Sequence, residues 1–206
     1  MCQDRCINQR GYAPAPMTLS TQTRYTPDEY RQLEARAQQR HEYRDGEIVP
    51  MPGGSLEHSR ICGNIFAYLK FLLRDTQFEP IHSDLRLWVP AYNRGLYPDV
   101  MVFDGAPTLN GDRNDEVLDP IAIVEVLSPS TQAFDREDKF LFYRSIPNFC
   151  EYILVRQTIP SIDRYTRQES GWWLQEFSGL EASLPIKSLG LDMPLAEIYR
   201  GVNLDD

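Results

Sequence analysis

The sequence predicts a single α/β domain: a mixed central β-sheet flanked by helices, with an N-terminal helix and hairpin and a C-terminal hairpin. Three observations predict it. Two runs, YPDVMVF at 97–103 and IAIVEVL at 121–127, alternate with period 2 and are apolar on both faces, as strands covered on both sides are. Residues 56–74 instead carry apolar side chains at helical spacing, with Ile61, Ile65, Tyr68, Leu69 and Leu72 on one face. The chain has 206 residues, enough for one well-buried domain and short for two.

In chain order, residues 1–22 are polar and aperiodic, which predicts a disordered extension before a domain spanning 23–206. Cys2 and Cys6 within it lack the spacing of common zinc ligands. Thr26-Pro27-Asp28-Glu29 reads as a helix start, with Thr26 as N-cap and Glu29 closing a capping box, and the helix should reach about residue 39. Asp45-Gly46 between 40–44 and 47–51 is a type I′ hairpin signal. Pro52-Gly53-Gly54-Ser55 then breaks the chain before the 56–74 helix.

A strand is expected at 84–89, a turn at Asn93-Arg94-Gly95, and a strand at 97–103 whose leading Pro98 costs one ladder bond at an end. The stretch 109–119 reads as a solvated polar loop. A strand at 121–127 ends at Ser128-Pro129-Ser130. The next helix opens with Asp135 as N-cap and stops at Pro147. A strand at 151–156, a hairpin of 161–167 with 172–177, an extended stretch at 186–191 and a short helix at 194–200 complete the chain. Trp172 and Trp173 alternate sides, which permits base stacking by one, although packing is the ordinary role.

Composition narrows the function class. With 42% hydrophobic and 25% charged residues this is globular material. The four cysteines form no disulfide framework, so Cys62 and Cys150 read as buried thiols in a reducing compartment. The start lacks the apolar run of a signal peptide, and 65–73 is interrupted by Lys70 and too short to span a bilayer. A cytoplasmic protein without membrane contact is expected. The net charge of -9 opposes binding to nucleic acid, unless Arg60, Lys70, Arg74, Arg86, Arg94, Arg136, Lys139 and Arg144 cluster locally.

Against that charge stand two acids on greasy strands. Asp99 shares a face with Tyr97, Met101 and Phe103, and Glu125 shares one with Ile121, Ile123 and Leu127. Burying such a charge costs roughly several kcal/mol unless a cation or hydrogen bonds compensate it. Two carboxylates on neighbouring strands can hold Mg²⁺ or Mn²⁺, hard ions that prefer oxygen, and a lysine can complete a phosphodiester-hydrolysing site. Lys139, on the helix after the Glu125 strand, is the candidate.

At these positions the chain resembles a known family. Pro98-Asp99 with Glu125-Val126-Leu127 looks like a variant of the PD-(D/E)XK signature of restriction-endonuclease-like nucleases, with Leu127 where the lysine usually stands. The run VEVLSPST, followed by Asp135, Lys139 and Tyr143 and then EYILV, resembles the Uma-type restriction endonucleases, in which the lysine has moved to the following helix. The likeness extends from about residue 25 to 202. It implies a restriction-endonuclease-like fold and a metal-dependent endonuclease, acting on DNA rather than RNA and leaving a 5′-phosphate. It also implies a metal site of Asp99, Glu125 and the Val126 carbonyl, with Lys139 positioning water. A homodimer would suit cleavage of both strands.

Four neighbours complete the set. Glu47 lies in the family's DGE element, and His58 stands where the family places a histidine, although a solvated hairpin acid and a capping histidine are the ordinary readings. Asp135 and Lys139, four apart, could form an exposed pair worth ~0.3–0.5 kcal/mol. Tyr143, one turn on, could contact a phosphate or pack, and packing is the ordinary reading. His41 and His82 carry no functional expectation. Two rival readings use the same residues: a catalytically inactive binding or assembly module, and a structural one in which Glu125 and Lys139 form a buried ion pair while Asp99 caps a loop.

Overall fold

Thr26 accepts the Glu29 N–H, while the Glu29 carboxylate takes the Thr26 N–H at 2.7 Å, so α1 (Pro27–Glu34) opens with the expected capping box. In this computed structural model the described residues are 24–82, 84–128 and 131–204, so the extension expected over 1–22, with Cys2 and Cys6, lies outside them, as do Pro129 and Ser130. Helix α1 stops short of residue 39. The Glu34 carboxylate accepts the His41 N–H at 2.9 Å and lies 3.0 Å from His41 Nδ1, which turns the chain into the hairpin. That hairpin, β1 (His41–Arg44) and β2 (Glu47–Pro50), turns through Asp45 at φ 50° and Gly46 at φ 102°, the paired positive φ values of a type I′ turn.

Ser55 caps α2 (Leu56–Leu73) by accepting the His58 N–H at 3.0 Å. Its buried stripe is Ile61, Ile65, Leu69 and Leu73; Leu72, one residue off the stripe, is exposed, contrary to expectation. More strands follow than the pattern predicts: β3 (Phe78–His82), β4 (Arg86–Val89), β5 (Arg94–Leu96), β6 (Val100–Asp104), β7 (Glu116–Val117) and β8 (Ala122–Leu127). Pro80 disguises β3, and is tolerated because β3 is the edge of its sheet. Arg94 and Gly95 belong to β5, not to a turn; Asn93 alone supplies the left-handed residue, at φ 52°. The supposedly solvated loop contains β7, whose fully buried Glu116 accepts Arg86 Nε at 2.6 Å and an Arg31 guanidinium nitrogen at 2.7 Å.

The helical segment 132–143 consists of α3 (Gln132–Phe134), a π-helical stretch (Asp135–Lys139) and α4 (Phe140–Tyr143). It begins before Asp135, which is therefore an interior residue and not the N-cap. Next come β9 (Glu151–Arg156), the hairpin of β10 (Ser161–Gln168) with β11 (Gly171–Ser178), then β12 (Ser183–Ile186), β13 (Leu191–Pro194) and α5 (Leu195–Ile198).

The central sheet has the order β11-β10-β9-β8-β6-β3, parallel only between β8 and β9. A second sheet, β2-β1-β5-β4-β7, carries the N-terminal hairpin. Alternation along β6 and β8 sorts the core as expected. Val100, Val102, Val124 and Val126 meet the stripe of α2, whereas Met101, Phe103, Ile123 and Leu127 meet Leu87 and Leu96 of the second sheet together with Phe142 and Tyr143. Both faces of the central strands are thus covered, which forces any polar group on them to find a partner.

Candidate active site

Strand β6 begins at Val100, one residue after Asp99, so the first acid stands at the mouth of its strand and not within it. Register explains the geometry. Val100 pairs with Val124, so one further step sets Asp99 opposite Glu125. Another step would set Val126 against Pro98, which has no N–H to give. The ladder therefore ends there. Asp99 Oδ2 takes the Val126 N–H at 2.7 Å, and the Val126 carbonyl, on the same side of its strand, has no ladder donor.

Glu125 is 4% exposed, and its Oε1 accepts Lys139 Nζ at 3.0 Å and the Tyr143 hydroxyl at 2.8 Å. Tyr143 thus does more than pack, although its ring does lie against Phe149 and Tyr152. Lys139 Nζ also lies 2.9 Å from Asp135 Oδ1, an ionic contact not aligned as a hydrogen bond, and 3.9 Å from Glu42 Oε1. Asp135 and Lys139 are 2% and 6% exposed, so this is no surface pair. The buried Glu125–Lys139 ion pair of the structural reading is present.

Glu125 is raised to about 8: burial is the largest cause, Lys139 opposes it, and the charges of Asp135 and Asp99 add to it. Burial alone would lower Lys139, but Glu125, Asp135 and Glu42 outweigh it and hold the amine well above its ordinary value. His58 lies with Nε2 3.2 Å from Asp99 Oδ2. Desolvation disfavours its charge, yet the bond to Asp99 and that carboxylate's charge leave it raised.

Of the neighbours, His58, Asp135 and Tyr143 join this group, and Glu47 does not. Glu47 sits at the hairpin end opposite Arg44 and lines a separate hollow with Arg94 and Asp138. The acid that the hairpin sends inward is Glu42, held by Arg44 through Nε at 3.2 Å and a terminal nitrogen at 2.7 Å. Glu42 and Arg44 share a strand face and read locally as a solvated pair; β1 is buried between β2 and β5, and its central position was the missed signal. Gln157 was missed too. It accepts Ser55 Oγ at 2.7 Å and donates to the Leu127 carbonyl at 2.8 Å, joining the Gly53-Gly54 loop to the end of β8.

These groups line one cleft of about 330 Å³, bounded by Glu42, the 50–55 loop, His58, Asp99, Glu125 and Lys139. Two carboxylates and a carbonyl are hard oxygen donors, the chemistry that Mg²⁺ and Mn²⁺ prefer. Glu42, Asp99, Glu125 and Asp135 outnumber the nearby Lys139 and Arg44. That excess of negative charge is what a divalent cation would relieve, so the residues fit such an ion.

Of the eight basic residues that could form a local cluster, five are each engaged with a different acid. Arg60 pairs with Glu57, Arg74 with Asp75, Arg86 with Glu116, Arg136 with Asp163, and Lys139 with Glu125. Trp173 is exposed with Lys187 over its ring, and Trp172 packs against the core. No helix among the described residues is long and apolar enough to cross a membrane.

Fold and cleft together define a restriction-endonuclease-like α/β protein. A crystal structure from Anabaena variabilis, described as "a putative nuclease belonging to DUF820", matches with a TM-score of 0.67 at 18% identity, over 84% of this chain and 96% of that one. The chain belongs to the Uma2 family, described as "Putative restriction endonuclease", whose profile matches residues 27–196. Two uncharacterized proteins of Synechocystis sp. are each 36% identical: sll1609 over 82% of this chain and 96% of its own length, and slr1290 over 86% and 92%.

Proposed function

We propose that this protein is an endonuclease that hydrolyses phosphodiester bonds in DNA with the help of Mg²⁺ or Mn²⁺. One observation carries the reading: Asp99 at the entrance to β6, Glu125 on the adjacent β8, and Lys139 from the following helical segment line a single cleft. Asp99, Glu125 and the Val126 carbonyl would hold the ion. When bound, the ion acidifies water and offsets charge that builds on the phosphoryl group. Lys139 orients the attacking water and, through its hydrogen bond, keeps Glu125 aimed into the cleft. Tyr143 braces the same carboxylate oxygen. Water adds to phosphorus, the bond to the 3′ oxygen breaks, and the products are a 5′-phosphate and a 3′-hydroxyl. A two-fold dimer would bring one cleft to each strand of a duplex.

The net charge of -9 and the pairing of Lys139 with surrounding acids favour a second reading, a binding or assembly module that keeps the fold without the chemistry. Supercoiled plasmid in Mn²⁺ separates the two. Wild type should nick it and Lys139→Met should not. Equal nicking by both removes Lys139 from the mechanism. Retarded plasmid migration in EDTA, with no nicking under any divalent ion, establishes the binding module instead.

A further inference from the structure

Beside the oxygen donors lies a group of different chemistry. His58 and Cys62 are four residues apart in α2, which stacks them on one face of the helix. His58 Nδ1 is 3.5 Å from Cys62 Sγ, and its Nε2 is 3.2 Å from Asp99 Oδ2. One donor atom from each of the three residues falls within a sphere of mutual distances under 4.8 Å. We propose that His58, Cys62 and Asp99 form a binding site for a thiophilic divalent cation of the Zn²⁺ type.

The spacing supports this. Zinc bonds of about 2.3 Å to sulfur and about 2.0–2.2 Å to nitrogen and oxygen set tetrahedral ligands roughly 3.3–3.6 Å apart. The 3.5 Å and 3.2 Å separations run to opposite nitrogens of the His58 ring, so only one of them can be a ligand–ligand edge; with a single ring nitrogen as ligand the three donor atoms already lie within 4.8 Å of one another, and side-chain rotation closes the rest. The ligands come from two elements, a helix and the entrance to β6, that are locked together by Ile61, Ile65, Val100 and Val124 in one core. The site is therefore largely preformed. Three protein ligands leave a fourth position open to the cleft that His58 and Asp99 line.

A thiolate and an imidazole disfavour Mg²⁺ and favour Zn²⁺ or Co²⁺. Binding sends the Cys62 thiol proton to solvent; burial holds that thiol protonated in the free protein, so affinity rises with pH. Asp99 is common to this site and to the proposed Mg²⁺ site, and one carboxylate cannot serve both fully. Insofar as the nuclease reading holds, a thiophilic ion here competes with the hard ion and silences the cleft.

Co²⁺, which reports thiolate ligation by a charge-transfer band in the near ultraviolet, tests the site without reference to cleavage. The full chain carrying Cys2→Ser and Cys6→Ser is titrated with Co²⁺, then with Zn²⁺. The expected result is one Co²⁺ per chain with the band, and its loss on adding Zn²⁺. Cys62→Ala abolishes the band, and His58→Ala weakens binding by at least the ~10–100-fold typical of lesser changes around a metal. Glu125→Gln, which disables the oxygen site, leaves the band in place. A band unchanged in Cys62→Ala, or absent from the parent at saturating Co²⁺, overturns the proposal. Failure to nick plasmid in Mn²⁺ by protein stripped of Co²⁺ and Zn²⁺, when the same protein gives the band on adding Co²⁺, counts against the nuclease reading alone.

Discussion

Replacing Lys139 with methionine asks whether a buried ammonium is the hub of this cleft. The side chain keeps its length and apolar stem, and loses the cation that lies 3.0 Å from Glu125, 2.9 Å from Asp135 and 3.9 Å from Glu42. With 6% exposure, water cannot replace it. Removing one partner of such a buried pair costs about 3–5 kcal/mol. Glu125, raised to about 8, already carries a proton in much of the population at pH 7.5, which holds the loss toward the lower end. With a urea m-value of ~2 kcal/mol/M, the unfolding midpoint should fall by about 1.5–2.5 M. The measurement is urea unfolding by tryptophan fluorescence at pH 7.5 in EDTA. An exposed helix pair worth ~0.3–0.5 kcal/mol would move the midpoint by only about 0.2 M. A shift that small would refute the claim that the acids around Lys139 depend on it.

Two further outcomes follow from the same geometry. Mn²⁺ at a hundredfold excess over its Kd should stabilise the native protein by about 2.7 kcal/mol, or roughly 5–11 °C in Tm. Asp99→Ala should abolish that gain, and an equal rise in the variant would remove Asp99 from the ion site. The second concerns pH. Glu125 is raised from 4.5 to about 8 in the folded state, so between those values the native state holds a proton that the unfolded state has lost. In metal-free protein this contribution therefore weakens stability as pH rises from about 4.5 to 8. Divalent-ion affinity should run the other way, rising by up to about tenfold per pH unit to pH 8, because the ion displaces that proton. Calorimetric titration at pH 6 and pH 8 giving equal affinities would contradict the assignment.

Much of the fold was legible in the sequence because its signals are local. A capping box closes within four residues, a type I′ turn needs only Asp45 and Gly46, and alternation along β6 and β8 assigns each side chain to a face whatever lies beyond. The short strands β5 and β7 and the Pro80-bearing edge strand β3 were illegible, since two or three residues carry no period and a proline argues against a strand until its edge position is known. The unusual placing of Asp99 and Glu125 was also visible, since a carboxylate in a greasy strand stands out without any knowledge of its neighbours.

What lies over a charge is another matter. Glu42 and Glu47 are nearly identical in local context, yet one faces the cleft and the other a separate hollow. Asp135 and Lys139 have the spacing of a surface pair and lie under the second sheet. By itself the sequence determined the α1 cap, the Asp45-Gly46 turn, the faces of β6 and β8 and the place of Glu125 within β8, because those energies are settled within a few residues. The tertiary structure alone decided which carboxylates surround Lys139 and which ones water reaches. Burial of a charge depends on segments far away in the chain, and only packing brings them to it.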